Sequence, residues 1–305
     1  MTGSLTDAVV TVPATVANLG PGFDIFAVAL EVRNEVRARR AGGPFAIDPG
    51  PEAPEELRDP ERNLVARAYA LACEHLGIPG DGVRLECVNR IPFARGLGSS
   101  AAASLAGVLA AFALHSSGSA RRDEVLACVT QLEGHSDNAS AALLGGLSIS
   151  APGVTPLTLS VPEELRAVVF IPEAQLRTED ARRVVPDHFS RADAVFNASR
   201  CALLVRALAL RDYPSLGFAM EDRWHQQQRS SLFPAMPHLI AAARGAGARG
   251  AALAGAGPSI CALTEGETEP IAAAFQAAAQ QFGVSGRTLI SAIPNRGASV
   301  SASQR

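Results

Sequence analysis

Pro92-Phe93-Ala94-Arg95-Gly96-Leu97-Gly98-Ser99-Ser100-Ala101 runs without a break into an alanine-rich apolar stretch that ends at Leu114. Alanine favours helix more than any other residue, so the pattern is a glycine loop opening directly into a helix. Such a loop leaves the first backbone N–H groups of the helix unpaired and turns its positive dipole end outward, a setting suited to an anion. Gly96 and Gly98 let the backbone approach phosphate oxygens closely, while Ser99 and Ser100 add hydroxyl donors or a magnesium ligand. An ordinary glycine turn with serine N-caps reads the same residues without a ligand, and the loop alone does not choose between the two.

The rest of the composition narrows the chemistry. All 27 basic residues are arginine, so the chain contains no lysine. That excludes a Schiff-base lysine, the lysine of a Walker phosphate loop and the strand lysine of protein kinases. Against 30 acidic residues the net charge is −3, which gives no electrostatic reason to expect a nucleic acid or a membrane surface as partner. Cys73, Cys87, Cys128, Cys201 and Cys261 are widely spaced, with no CxxC pair, and read as reduced, buried small residues. Met1 to Asp7 lacks the basic and apolar segments of a signal peptide, and the apolar run 101–114 is too short to span a bilayer. A soluble, cytoplasmic protein is expected.

A chain of 305 residues makes roughly two domains at ~150 residues each. Apolar alternation predicts strands over 8–12 (stopped by Pro13), 28–39, 83–91, 154–159, 166–171, 250–254, 259–263 and 287–293. Helical spacing predicts helices over 64–76 with Gly77 as C-cap, 101–114, 122–132, 192–210, 236–245 and 271–282. Residues 16–24 and 42–60 read as loops, and the patternless tail 295–305 as disordered. Strands and helices mix without βαβ regularity, which indicates an α+β protein of two layers with a boundary near 150–165.

Two further glycine-rich stretches, Leu19-Gly20-Pro21-Gly22-Phe23-Asp24 and Ala254-Gly255-Ala256-Gly257-Pro258-Ser259, are each ordinary turns when taken singly. Together with the first loop, the series PATVANLGPGFD, PFARGLGSSAA, LAGAGPS resembles the three signature motifs of the GHMP kinases, in order and across nearly the whole chain. The first motif is similar to that of the homoserine kinases within this family. So are Glu133-Gly134-His135-Ser136-Asp137-Asn138, the Thr178–Arg182 stretch and Asp222-Arg223-Trp224-His225 with Arg229. Ala254 departs from the usual serine, and Trp224 and Gln228 are uncommon choices.

The resemblance implies a two-domain α+β GHMP kinase fold, divided here as 1–160 and 161–305. The N-terminal domain would be ribosomal protein S5 domain 2-like and the C-terminal one a ferredoxin-like α/β layer. It implies ATP-dependent phosphorylation of the homoserine hydroxyl, with Mg²⁺, in threonine biosynthesis; a homodimer stays open. ATP would lie on Pro92, Phe93, Ala94, Arg95, Gly96, Leu97, Gly98, Ser99, Ser100, Ala101 and Ala102, with Asn63 at the adenine. Ser99 and Glu133 would hold the metal, and Asn138 would lie near the transferred phosphoryl group. Asp24 would pair the substrate ammonium, Asn18 and His135 would give neutral hydrogen bonds, and Arg182 and Arg229 would bind the carboxylate beside Gly255. Without a lysine there is no Asp–Lys pair to activate the hydroxyl, so direct in-line attack is expected, with the charge neutralised by the loop, the metal and Asn138.

Overall fold

The computed structural model describes residues 6–115 and 121–303; residues 1–5, part of the segment read above as lacking a leader, lie outside the described residues. In chain order the strands are β1 (Asp7–Asn18), β2 (Gly22–Arg40), β3 (Ala46–Asp48), β4 (Val83–Val88), β5 (Leu147–Ala151), β6 (Val154–Leu159), β7 (Arg166–Pro172), β8 (Gly250–Leu253), β9 (Ile260–Thr264), β10 (Gly286–Ala292) and β11 (Ser299–Ser303). The helices are α1 (Leu64–Leu76), α2 (Ser99–His115), α3 (Arg122–Glu133), α4 (Asp137–Leu144), α5 (Thr178–Arg183), α6 (Arg191–Leu210), α7 (Leu216–Ala219), α8 (Gln226–Arg229), α9 (Met236–Gly245) and α10 (Glu269–Gln281).

Among the described residues, the first sheet runs β11-β1-β2-β4-β3, with the β5–β6 hairpin added along β2. The second runs β10-β7-β9-β8, antiparallel throughout. Helix α2 is buried almost all round, because small alanines let it sit close to β1 and α1. Gly107 marks the closest approach: a Cβ there would come within 2.2 Å of the Val65 carbonyl oxygen. Strand β7 serves both cores. Its Ala167, Val169 and Ile171 join the core of the first sheet, and Val168 and Phe170 the second, under α9 and α10. Strand β7 is thus packed on both of its faces, between the two layers. No helix among the described residues is long and apolar enough to cross a membrane.

Four expectations are corrected here. Strand β1 does not stop at Pro13 but continues to Asn18, because Pro13 sits at a register shift against β2, where a missing N–H is tolerated. The segment 16–24 is thus a strand end, a tight turn and the start of β2, not a loop. The stretch 42–60 likewise carries the short strand β3, which pairs with β4. The tail is also ordered through residue 303: β11 pairs antiparallel with β1, Val10 opposite Val300. Asn295 anchors the approach to it, accepting from Val161 N at 2.7 Å and donating to its carbonyl at 2.8 Å.

Candidate active site

A cleft of about 380 Å³ lies between the two layers. Its lining includes all three motifs: Asn18, Phe23 and Asp24; Ala94, Arg95, Gly96, Gly98, Ser99, Ser100 and Ala101; Gly255 and Ala256. Glu133, His135, Asp137 and Asn138 enter from the α3–α4 junction, and Thr178, Glu179, Arg182 and Arg229 from the second half of the chain.

The loop is a close fit, and its glycines are required. Gly98 has φ +68°, and a Cβ there would lie 2.0 Å from Thr15 Oγ1 and 3.1 Å from Asn138 Oδ1. Gly96 has φ +75°, and its Cβ would meet the Ala254 carbonyl oxygen at 2.2 Å, so the second and third motifs touch through backbone alone. That contact uses main chain, which explains why alanine is accepted at position 254. Arg95 is part of the lining, and its guanidinium is held by main-chain carbonyls. Its guanidinium donates to the carbonyls of Phe93 (2.9 Å), Pro172 (2.6 Å) and Glu173, tying the loop to the end of β7. Leu97 and Ala102 are buried in the core, and Pro92 and Phe93 lie outside the cleft lining, so these four support the loop from behind.

Asn63 has a structural role of its own. Its Oδ1 accepts from the Val65 and Ala66 amides and its Nδ2 donates to the Leu57 carbonyl, which makes it the N-cap of α1. The neighbouring Leu64, not Asn63, reaches the cleft.

Glu133, the last residue of α3, receives the Ser100 hydroxyl at 2.8 Å on both oxygens and Ser104 Oγ at 2.7 Å on Oε1. Ser100 rather than Ser99 is the hydroxyl beside the carboxylate, because on α2 it stands one residue further round toward α3. Among the described residues no cluster of three or more His, Cys, Asp or Glu could hold an ion. The oxygen donors at Glu133 and Ser100 suit a hard cation that takes its other ligands from phosphate and water.

The opposite end of the cleft is ionic. Arg182 Nη1 and Nη2 donate to the Asp24 carboxylate at 2.9 and 2.7 Å, and this pairing raises the arginine's pKa further. Asn18 and Asp24 both hold left-handed backbone, φ +72° and +58°, a conformation uncommon outside glycine. Asn18 stabilises it by accepting from Asp24 N at 3.3 Å and donating to the Gly255 carbonyl at 2.9 Å. Arg229 is only 2% exposed and donates to the Ala181 and Gly255 carbonyls at 3.0 and 2.9 Å. Burial, then the charge of Arg182, push its pKa down to about 10. His225 lies behind it, 0% exposed, with Nδ1 3.2 Å from Arg229 Nη1 and Nε2 2.8 Å from the Gly20 carbonyl. His135 Nδ1 meets Asp137 Oδ1 at 2.8 Å, and that bond raises its pKa. Asn138 is fixed between Thr15 Oγ1, which donates to its Oδ1 at 2.7 Å, and Asp137.

Sequence reasoning missed Thr15, Asp137 and Ser104, whose neighbours are set by folding. Phe23, Thr178 and Glu179 stood inside quoted motifs without a role. The Phe23 ring lies 5.4 Å from the Arg182 guanidinium and 5.3 Å from that of Arg229, bracing both.

Family models for the GHMP kinases N terminal domain and the GHMP kinases C terminal domain match residues 63–146 and 204–283. The chain is 39% identical over 292 residues to a homoserine kinase of Carboxydothermus hydrogenoformans, covering 95% of each. It is 40% identical over 296 residues to one of Microchaete diplosiphon, covering 95% of this chain and 96% of that one. The crystal structure of homoserine kinase from Cytophaga hutchinsonii superposes with a TM-score of 0.87 at 29% identity, covering 97% of each chain. A mevalonate kinase structure, at 14% identity and a TM-score of 0.68 over 93% of this chain and 98% of that one, shares the fold.

Proposed function

This chain belongs to the homoserine kinases of the GHMP kinase family, and from that premise we propose how its own residues perform the reaction. The enzyme is a small-molecule kinase that transfers the γ-phosphoryl group of ATP to the homoserine hydroxyl, giving O-phospho-L-homoserine for threonine biosynthesis. The observation that carries the assignment of roles is the polarity of one cleft: a phosphate-sized glycine loop at one end, an acid–arginine pair at the other. Homoserine is a zwitterion, and the ionic end offers it one partner for each charge.

In this reading the α2 N-terminus and the amides of Gly96, Gly98, Ser99 and Ser100 hold the triphosphate. Asp24 takes the ammonium, Arg182 and Arg229 the carboxylate, and Asn18, His135 and the Gly255 carbonyl orient the remainder. Glu133 and Ser100 would hold Mg²⁺, which supplies charge neutralisation on the phosphate oxygens. Asn138, pinned by Thr15 and Asp137, faces the developing charge. No lysine is present to form an Asp–Lys base, so positioning and charge stabilisation carry the transfer through a loose transition state. The domains are read as 1–160 and 161–305, with β11 returning to the first sheet.

A coupled ATPase assay with homoserine, with mevalonate and without acceptor tests the reading, with the product identified by phosphorus NMR. Turnover with homoserine alone supports it. Mevalonate carries a carboxylate but no amine and leaves Asp24 unpaired, so equal turnover with both substrates would overturn the Asp24 role.

A further inference from the structure

Ser100 and Ser104 stand four residues apart on α2, on one helical face, and both donate to Glu133. They differ in burial. Ser100 is exposed at the cleft, whereas Ser104 is 0% exposed. The other buried side chains of α2 are alanine, leucine, valine and phenylalanine, and a hydroxyl in that setting requires a partner. Helical serines commonly satisfy themselves on the carbonyl one turn back. Ser104 instead crosses to a carboxylate on another helix, 2.7 Å away on Oε1.

This burial separates the two serines' roles. A cation arriving with ATP competes for the Ser100 hydroxyl at the cleft but cannot reach Ser104. The Ser104 bond would persist, anchoring Oε1 and leaving Oε2 and the Ser100 oxygen as a prearranged pair of hard donors. Glu133 otherwise terminates its helix just before Gly134 (φ +79°). We propose that Ser104 is a positioning residue that sets the Glu133 carboxylate for the divalent cation of the nucleotide. The proposal rests on the reading of Glu133 as a cation ligand.

The test measures Mn²⁺ binding in the presence of ADP by electron paramagnetic resonance, alongside the Mg²⁺ dependence of kcat and thermal melts. Ser104→Ala is expected to weaken Mn²⁺ about 10-fold, the low end for a residue supporting a metal ligand, since phosphates hold much of the ion. The Mg²⁺ needed for half-maximal kcat should rise in parallel while homoserine KM stays put. Ser104→Cys, a weaker donor of similar size, should fall between the two. In a Glu133→Gln chain, adding Ser104→Ala should change Mn²⁺ affinity no further. Wild-type Mn²⁺ affinity in both serine variants, with Glu133→Gln weakened, would reduce Ser104 to a satisfied buried hydroxyl and overturn the proposal. Unchanged affinity in Glu133→Gln itself would instead remove the ligand reading on which the proposal stands.

Discussion

Asp24 and Arg182 hold each other by two parallel hydrogen bonds, 2.9 and 2.7 Å, although 158 residues of chain separate them. These are the residues assigned to opposite charges of one substrate. In the proposed reading a homoserine molecule comes between them and replaces one ion pair by two. A ligand with only one of the two charges breaks the bond and leaves one residue uncompensated, which is a discrimination built from repulsion as much as attraction.

Asp24→Asn tests this directly. The substitution keeps the shape, removes the charge facing the ammonium and releases Arg182. Losing a charge-assisted hydrogen bond costs about 1.5–3 kcal/mol, so homoserine KM should rise roughly 10- to 150-fold while ATP KM stays near wild type. Steady-state kinetics with each substrate varied decides it, and an unchanged homoserine KM would sink the role.

Gly98→Ala places a Cβ 2.0 Å from Thr15 Oγ1 on a backbone at φ +68°. The left-handed conformation alone costs a residue with a side chain about 1–2 kcal/mol. The crowded Thr15 is also the donor that fixes Asn138. A lower melting temperature and an ATP affinity reduced at least tenfold, by calorimetry, are expected; a folded variant binding ATP normally would place the nucleotide elsewhere.

His225 predicts the acid limit of stability. Burial pushes its pKa down to about 4, against the raising charge of Asp222. Arg229 donates to its Nδ1, so Nε2 carries the proton toward Gly20. The unfolded chain takes up a proton near its ordinary pKa of about 6.5, whereas the folded chain resists until about 4. Stability from this site is thus complete above about pH 6.5 and is lost as pH falls from there toward 4. His225→Gln should melt lower than wild type at neutral pH, yet lose less between neutral and acid conditions. Parallel slopes for the two proteins across that window would refute the buried neutral imidazole.

Much of the site was readable because each motif needs glycine where the backbone comes close: Gly96 against Ala254, Gly98 against Thr15. Helix α1 was readable from its apolar spacing and from Gly77, which does cap it in the left-handed region. What escaped was set by distance in the chain. Nothing near Asp24 announces Arg182, and nothing in the Ala-Ser run 137–144 announces helix α4, whose small residues lack a clear stripe. Asn63 was ambiguous because one amide can cap a helix or greet a base, and its capping of α1 depends on neighbours set by the fold. Pro13 misled because its effect depends on register, and register belongs to the pair of strands.

Strand β11 closes the edge of the sheet that β1, the first strand, enters. Without residues 299–303, β1 presents an open edge, and β1 is the strand that ends in Asn18. A chain lacking residues 299–303 would carry every proposed site residue and still display an unpaired strand edge to its neighbours.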